Sequence, residues 1–181
     1  MRRNFRGSAC VLVLSSAMAG AAPYDMSVLR IDVPDGFAGP VTQHPDATST
    51  VTGFVKTYPK DTRGTLLQIT TYDVGAKLKS MSESARASTT DTYLDQMLAG
   101  VARKRTAFKA SPPAHVRIGG IAASRESWTG SAQGQDMAGT MYCVIVGGMV
   151  VFFHTQDFVD APAGNREQAV RAIETVAFRR K

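Results

Sequence analysis

The most strongly patterned stretch of the chain is Gln135–Phe158, QDMAGTMYCVIVGGMVVFFHTQDF. Two apolar runs, Met141–Val146 and Met149–Phe153, flank Gly147-Gly148. A Gly-Gly pair between β-branched and aromatic runs signals a two-residue hairpin, on the expectation that both turn positions take φ > 0. The turn fixes a register. Val146 faces Met149, Val144 faces Val151 and Tyr142 faces Phe153 on one side of the sheet. Ile145 faces Val150, Cys143 faces Phe152 and Met141 faces His154 on the other. Both sides are apolar, whereas a sheet with one wet face alternates apolar with polar. The hairpin therefore belongs at the centre of a sheet that is covered on both faces.

The remaining pattern is mostly β. Ala22–Asp25 reads as a short leader, and Ser27–Val33 alternates Val28, Arg30 and Asp32 against Leu29, Ile31 and Val33. Pro34-Asp35-Gly36 ends that strand with turn chemistry. Further strands are expected over Gly39–His44, Thr48–Tyr58, Thr65–Tyr72, His115–Ile118 and Ile121–Thr129, with Pro45-Asp46, Pro59-Lys60-Asp61 and Gly119-Gly120 between them. Val74–Ser88 has few anchors and reads as a short helix or a connection. Asp91–Phe108 carries Leu94, Met97, Leu98, Val101 and Phe108 at helical spacing. Thr89, Thr90 or Thr92 can cap this helix, Asp91 and Asp95 suit its first turn, and Arg103, Lys104 and Arg105 suit its last. Asn165–Phe178 reads as a closing helix capped by Asn165, with Ala169, Val170, Ile173, Val176 and Ala177 on its buried stripe. Short turns between strands make the sheet mostly antiparallel. The expected fold class is α+β, a mostly antiparallel sheet sandwiched between two amphipathic helices.

Composition changes the picture at the N-terminus. The chain has 181 residues and a net charge of +6. Residues 1–19 read as a cleavable secretory signal: Arg2, Arg3 and Arg6 precede a short apolar region, and Ala17-Met18-Ala19 is a cleavage pattern. The apolar run is too short for a stable membrane anchor, so no membrane insertion is expected after cleavage. Arg2-Arg3 hints at a twin-arginine signal, but the general secretory route fits better. Cleavage removes three arginines and no acids, leaving 18 Lys+Arg against 15 Asp+Glu. These cations form no basic stripe with interleaved aromatics, so nucleic acid is not an expected partner. Cys10 falls within the signal and Cys143 is left without a disulfide partner. Residues 22–181 are expected to form one domain, in the periplasm of a Gram-negative bacterium or secreted.

The order of elements resembles a known architecture. Val33–Phe37 (VPDGF), polar β segments, one long helix, Val116–Gly130 (VRIGGIAASRESWTG), an apolar hairpin and a final helix ending in Val176-Ala177-Phe178 are similar to the PsbP-like superfamily. That group includes PsbP, the Mog family of Ran-binding proteins and DcrB-like envelope proteins. The resemblance implies an antiparallel sheet between helices and proteins that bind other proteins without catalysing a reaction. It carries over no site residues. The chain departs from DcrB-like proteins in lacking a lipobox, and from PsbP in having nothing that points to metal or chloride.

No hydrolase elbow, zinc-protease helix, C-x-x-C pair, phosphate loop or dinucleotide fingerprint occurs, so no catalytic residue, cofactor or metal is expected. His44, His115 and His154 have no ligand spacing. The candidate partner-binding residues are Trp128, Arg125, Glu126 and His154, with Glu126 and Trp128 on one face of their strand. Trp128 and Cys143 also read as ordinary core, and His154 as a core-edge ring with one hydrogen bond. Arg103-Lys104-Arg105 suits an anionic surface or a solvated helix end, and Thr42–Thr50 a partner-contacting or an ordinary loop. The leading expectation is an exported, non-catalytic module that binds a protein partner in the cell envelope. The second is a small-molecule or lipid carrier with a pocket between sheet and helix. A third, a hydrolase centred on His154, requires Asp, Glu or Ser around that ring.

Overall fold

The computed structural model describes residues 21–179. The expected signal at 1–19 lies outside them. The elements run β1 (Ala22–Asp25), β2 (Leu29–Val33), β3 (Ala38–Gln43), β4 (Ser49–Thr57), β5 (Gly64–Asp73), α1 (Glu83–Ala102), β6 (Thr106–Ala110), β7 (Ala114–Ile118), β8 (Ile121–Ala132), β9 (Gln135–Val146), β10 (Met149–Phe158), α2 (Asn165–Glu174) and β11 (Ala177–Phe178). Eight strands form one antiparallel sheet, in the order β3-β4-β5-β10-β9-β8-β6 with β7 also paired to β8. A second sheet has the order β1-β2-β11.

The central hairpin takes the register expected of it, from Val146 opposite Met149 to Met141 opposite His154. Its turn differs in one respect. Gly147 alone has positive φ, at 60°. Gly148 is required by space: a Cβ there would lie 2.7 Å from the Gly75 carbonyl oxygen, because the Val74 and Gly75 amides donate to the Gly148 carbonyl. Both faces of the hairpin are buried, as the two-sided apolar pattern requires. Tyr142, Val144 and Phe153 pack with Leu29, Ile31 and Ile173 on one face. Met141, Cys143 and Ile145 pack with Phe152, Leu94 and Leu98 on the other.

The expected α+β sandwich between amphipathic helices is not what forms. Half of the described residues are in strands and about a fifth in helices. The fold is β-rich. The small sheet shares with α2 the covering of one face, and Leu29 and Ile31 of β2 are fully buried there. The other face receives α1, which buries only Thr90, Leu94 and Leu98. The leader Ala22–Asp25 is a strand paired to β2.

Both helices have different limits from those their apolar stripes suggest. α1 begins at Glu83, where the Ser82 hydroxyl accepts from the Ala85 amide at 3.3 Å, and none of Thr89, Thr90 and Thr92 is its cap. Its first two turns carry no large apolar side chain and no fully buried residue, so capping and Ala-containing helix propensity define them, with no buried stripe to mark them. It ends at Ala102, and Phe108 lies in β6. A bulge in β6, with Ala107 at φ 49°, brings Phe108 onto the Trp128 ring. α2 ends at Glu174 so that Ala177 and Phe178 can pair with Arg30 and Leu29. Its cap position is Gly164, not Asn165.

Candidate functional site

Helix α1 divides the sheet surface beneath it. Thr90, Leu94 and Leu98 recur every fourth residue and form its buried row. Asp91 and Asp95 lie on the flank toward β7 and β8. Tyr93, Met97 and Gly100 lie on the flank toward β5 and β10.

The first flank is polar. Ser124 on β8 donates to Asp91 at 2.5 Å, and its oxygen lies 2.7 Å from the Thr90 hydroxyl. The His115 Nε2 of β7 lies 3.0 Å from the other Asp91 oxygen. In a serine-hydrolase triad the imidazole stands between hydroxyl and carboxylate. Here the carboxylate stands between the other two, so His115 is not placed to take the Ser124 proton. Two residues along β8, Glu126 is 4% exposed and its Oε1 has no hydrogen-bond partner among the described residues. Burial first, then the charge and hydrogen bonding of Asp95, then the charge of Asp91, push its carboxyl up to about 7.

Beyond Glu126 the same face becomes aromatic. Trp128 is 2% exposed, stacked under Phe108 at 5.8 Å, with the Arg105 guanidinium 5.5 Å from its ring. Its indole N–H donates to His154 Nε2 at 3.2 Å. Burial, followed by the charge of Arg105, lowers the His154 pKa to about 4, so the ring is neutral and carries its proton on Nδ1. Trp128 is its one hydrogen-bond partner among the described residues. A hydrolase reading demands a carboxylate or hydroxyl on this ring, and among the described residues none hydrogen-bonds to it. Cys143 is fully buried, and burial pushes its thiol well above the ordinary range.

The four candidate partner-binding residues do not share a surface. Trp128, Glu126 and His154 are buried on the α1 side. Arg125 points to the opposite side, where it neighbours the Tyr142 hydroxyl, because successive residues of a strand alternate. Of the basic trio, Arg103 is the C-cap of α1 and Arg105 donates to Gln156 at 3.1 Å. The 42–50 stretch is the end of β3, an exposed turn and the start of β4, where Ser49 is buried; His44 and Thr50 meet there at 3.2 Å. A buried cluster that sequence did not suggest lies at the far end of β10. There Tyr58 and Thr65 both donate to Asp157, Thr65 at 2.7 Å. Burial pushes Asp157 up to about 6.

The other flank of α1 is open. A cavity of about 370 Å3 lies between Tyr93, Met97 and Gly100 of the helix and Tyr72, Val150 and Phe152 of the sheet. Tyr72 and Phe152 meet edge-on at 5.9 Å and form its wall. Gln96, Val74 and Arg103 stand at its margin. Gly100 leaves the mouth clear, since a Cβ there would touch only the Arg103 Nη2, at 3.8 Å. A second hollow, of about 330 Å3, involves β6, β8 and β9 and is lined by hydroxyls with Lys109 and Arg166. Helical spacing does place Tyr93, Met97 and Gly100 together, but only the tertiary structure brings β5 beside β10 to face them. Among the described residues no cluster of three His, Cys, Asp or Glu side chains could hold a metal ion, and no helix is long and apolar enough to cross a membrane.

No family model and no curated protein sequence matches the chain, so membership of the PsbP-like superfamily is not shown. Among solved structures it is similar to LpqN, involved in cell envelope biogenesis of Mycobacterium tuberculosis. The TM-score is 0.49 and the identity 14%, over 77% of this chain and 90% of LpqN. It is also similar to PA94, a Pseudomonas aeruginosa protein of unknown function. There the TM-score is 0.47 and the identity 14%, over 83% of this chain and 90% of that one. Likenesses of this order define neither a family nor an activity.

Proposed function

We propose that this protein is an exported envelope module that carries a small apolar or amphiphilic molecule in the cavity between α1 and strands β5 and β10. The observation that supports this is the cavity itself. Its volume of about 370 Å3 falls at the low end of ligand sites, roughly 300–1,000 Å3. Its lining of Tyr72, Tyr93, Met97, Val150 and Phe152 is what such sites use: an apolar body with few polar groups. Native mass spectrometry of the protein with decanoate tests the reading. A one-to-one adduct is expected for the wild type and none for Gly100→Leu. A Cβ at position 100 meets no backbone outside its own helix and leucine improves helix propensity, so that variant is expected to keep its fold while its side chain narrows the mouth. Equal adducts from both proteins, or none from the wild type, refute the assignment.

A protein partner in the envelope is the second reading. It draws on the outer edge of the large sheet, where all six residues of β3 are exposed and Val41 and Val55 are 49% and 40% exposed. The bulge between Ala38 and Val41 and the missing amide at Pro40 blunt that edge against strand addition, which is why it ranks below the cavity. Crosslinking of the protein in the periplasm, followed by mass spectrometry, separates the two readings: one stoichiometric protein joined through β3 or β4 favours the second.

A further inference from the structure

We infer that the cavity beside α1 selects a single-chain amphiphile with a carboxylate head, and that Arg103 is the residue that selects it. This rests on the carrier reading and adds the chemistry of the ligand. The cavity has an apolar floor and one cation at its rim. Phe152 and Val150 are buried at its base, and the Tyr72, Tyr93 and Met97 side chains complete an uncharged wall. Of the residues lining it, Arg103 alone carries a charge.

The position of that charge is set by the helix. Arg103 is the C-cap of α1, and its Nη2 folds back to within 3.8 Å of where a Gly100 Cβ would stand. The guanidinium therefore hangs over the one helix position that has no side chain, at the mouth of the cavity. None of the ion pairs among the described residues uses Arg103. Asp73, the acid that follows Tyr72 along β5, turns its carboxylate to the Gly75 amide at 3.0 Å. The arginine side chains that donate to backbone carbonyls among the described residues are Arg86, Arg105 and Arg117, not Arg103. A planar fork with five donors and no carboxylate of its own matches a carboxylate in two parallel hydrogen bonds. An alkyl chain attached to that head enters between Tyr93 and Phe152. A purely apolar ligand would leave the cation without a use, and a dianionic head would meet one cation where it needs two.

Titration calorimetry with decanoate and with 1-decanol tests this on the wild type, Arg103→Gln and Arg103→Lys. The wild type is expected to bind decanoate about tenfold more tightly than decanol. Arg103→Gln is expected to remove that preference while binding decanol as the wild type does, and Arg103→Lys to keep part of it. Equal binding of the two ligands by the wild type, or a preference that survives in Arg103→Gln, overturns the role of Arg103 and leaves the carrier reading standing. Binding of neither ligand overturns both.

Discussion

Glu126→Gln should raise stability at pH 8 and leave it nearly unchanged at pH 4.5. In the folded protein the Glu126 carboxyl is pushed from 4.5 to about 7 by burial and by Asp95 and Asp91 on the helix above it. The folded state thus holds a proton that the unfolded chain releases above pH 4.5. Stability associated with that proton is fully present below pH 4.5 and is lost as pH rises through about 7. A displacement from 4.5 to about 7 corresponds to at most about 3.5 kcal/mol, at roughly 1.4 kcal/mol per pH unit. Asp95 is itself exposed, so water screens its share of the shift, and about 2 kcal/mol is the expected gain for the variant at pH 8. Glutamine has the shape of the protonated acid and can donate to Asp95, so it keeps the contact and removes the charge. The assay is urea unfolding of both proteins at several pH values between 4.5 and 8. Asp157 and His154 titrate in the same window, but they are common to both proteins and cancel in the difference. The reasoning fails if the two stability curves run parallel across this range, because Glu126 would then titrate alike in the folded and unfolded chains.

Gly139→Ala should cost about 2–3 kcal/mol, the upper part of the usual range for overpacking, since its Cβ would stand 2.5 Å from the rigid Trp128 indole. Thermal unfolding reads the loss, and the emission of the single tryptophan should shift toward the red as Phe108 and the indole part. His154→Leu orphans the buried indole N–H and should cost about 1–3 kcal/mol at pH 8, measured by urea unfolding. The deficit should shrink as pH falls from 6.5 toward 4. The wild type loses stability there, because its unfolded His154 takes up a proton that the buried ring does not.

What the sequence determined by itself was local. The register of β9 on β10 follows from a glycine turn and a two-residue alternation, and both act over neighbouring residues. The need to bury both faces of that hairpin is written in the same alternation. The covers were not. One long stripe from Leu94 to Phe108 reads as a single helix, yet the chain leaves the helix at Ala102 because β6 must return to pair with β8. Val176-Ala177-Phe178 reads as helix for the same reason, yet its last two residues complete the small sheet with β2. Periodicity reports which residues want burial but not the element against which they find it.

The chemistry depended still more on distant pairing. Asp157 meets Thr65 across 92 positions of chain because β5 lies beside β10, a choice made by the whole sheet. Glu126 is an unremarkable acid on an alternating strand until α1 lays Asp91 and Asp95 over it. Trp128 offers itself as a surface anchor in sequence, and Phe108 and Gly139 close over it in the fold. The cavity beside α1 belongs to no segment at all. It exists because the buried row Thr90-Leu94-Leu98 carries the helix toward β8 and β9, leaving the sheet at β5 and β10 only half covered. Packing of a helix on a twisted sheet decides where such a gap falls, and no one-dimensional pattern records that geometry.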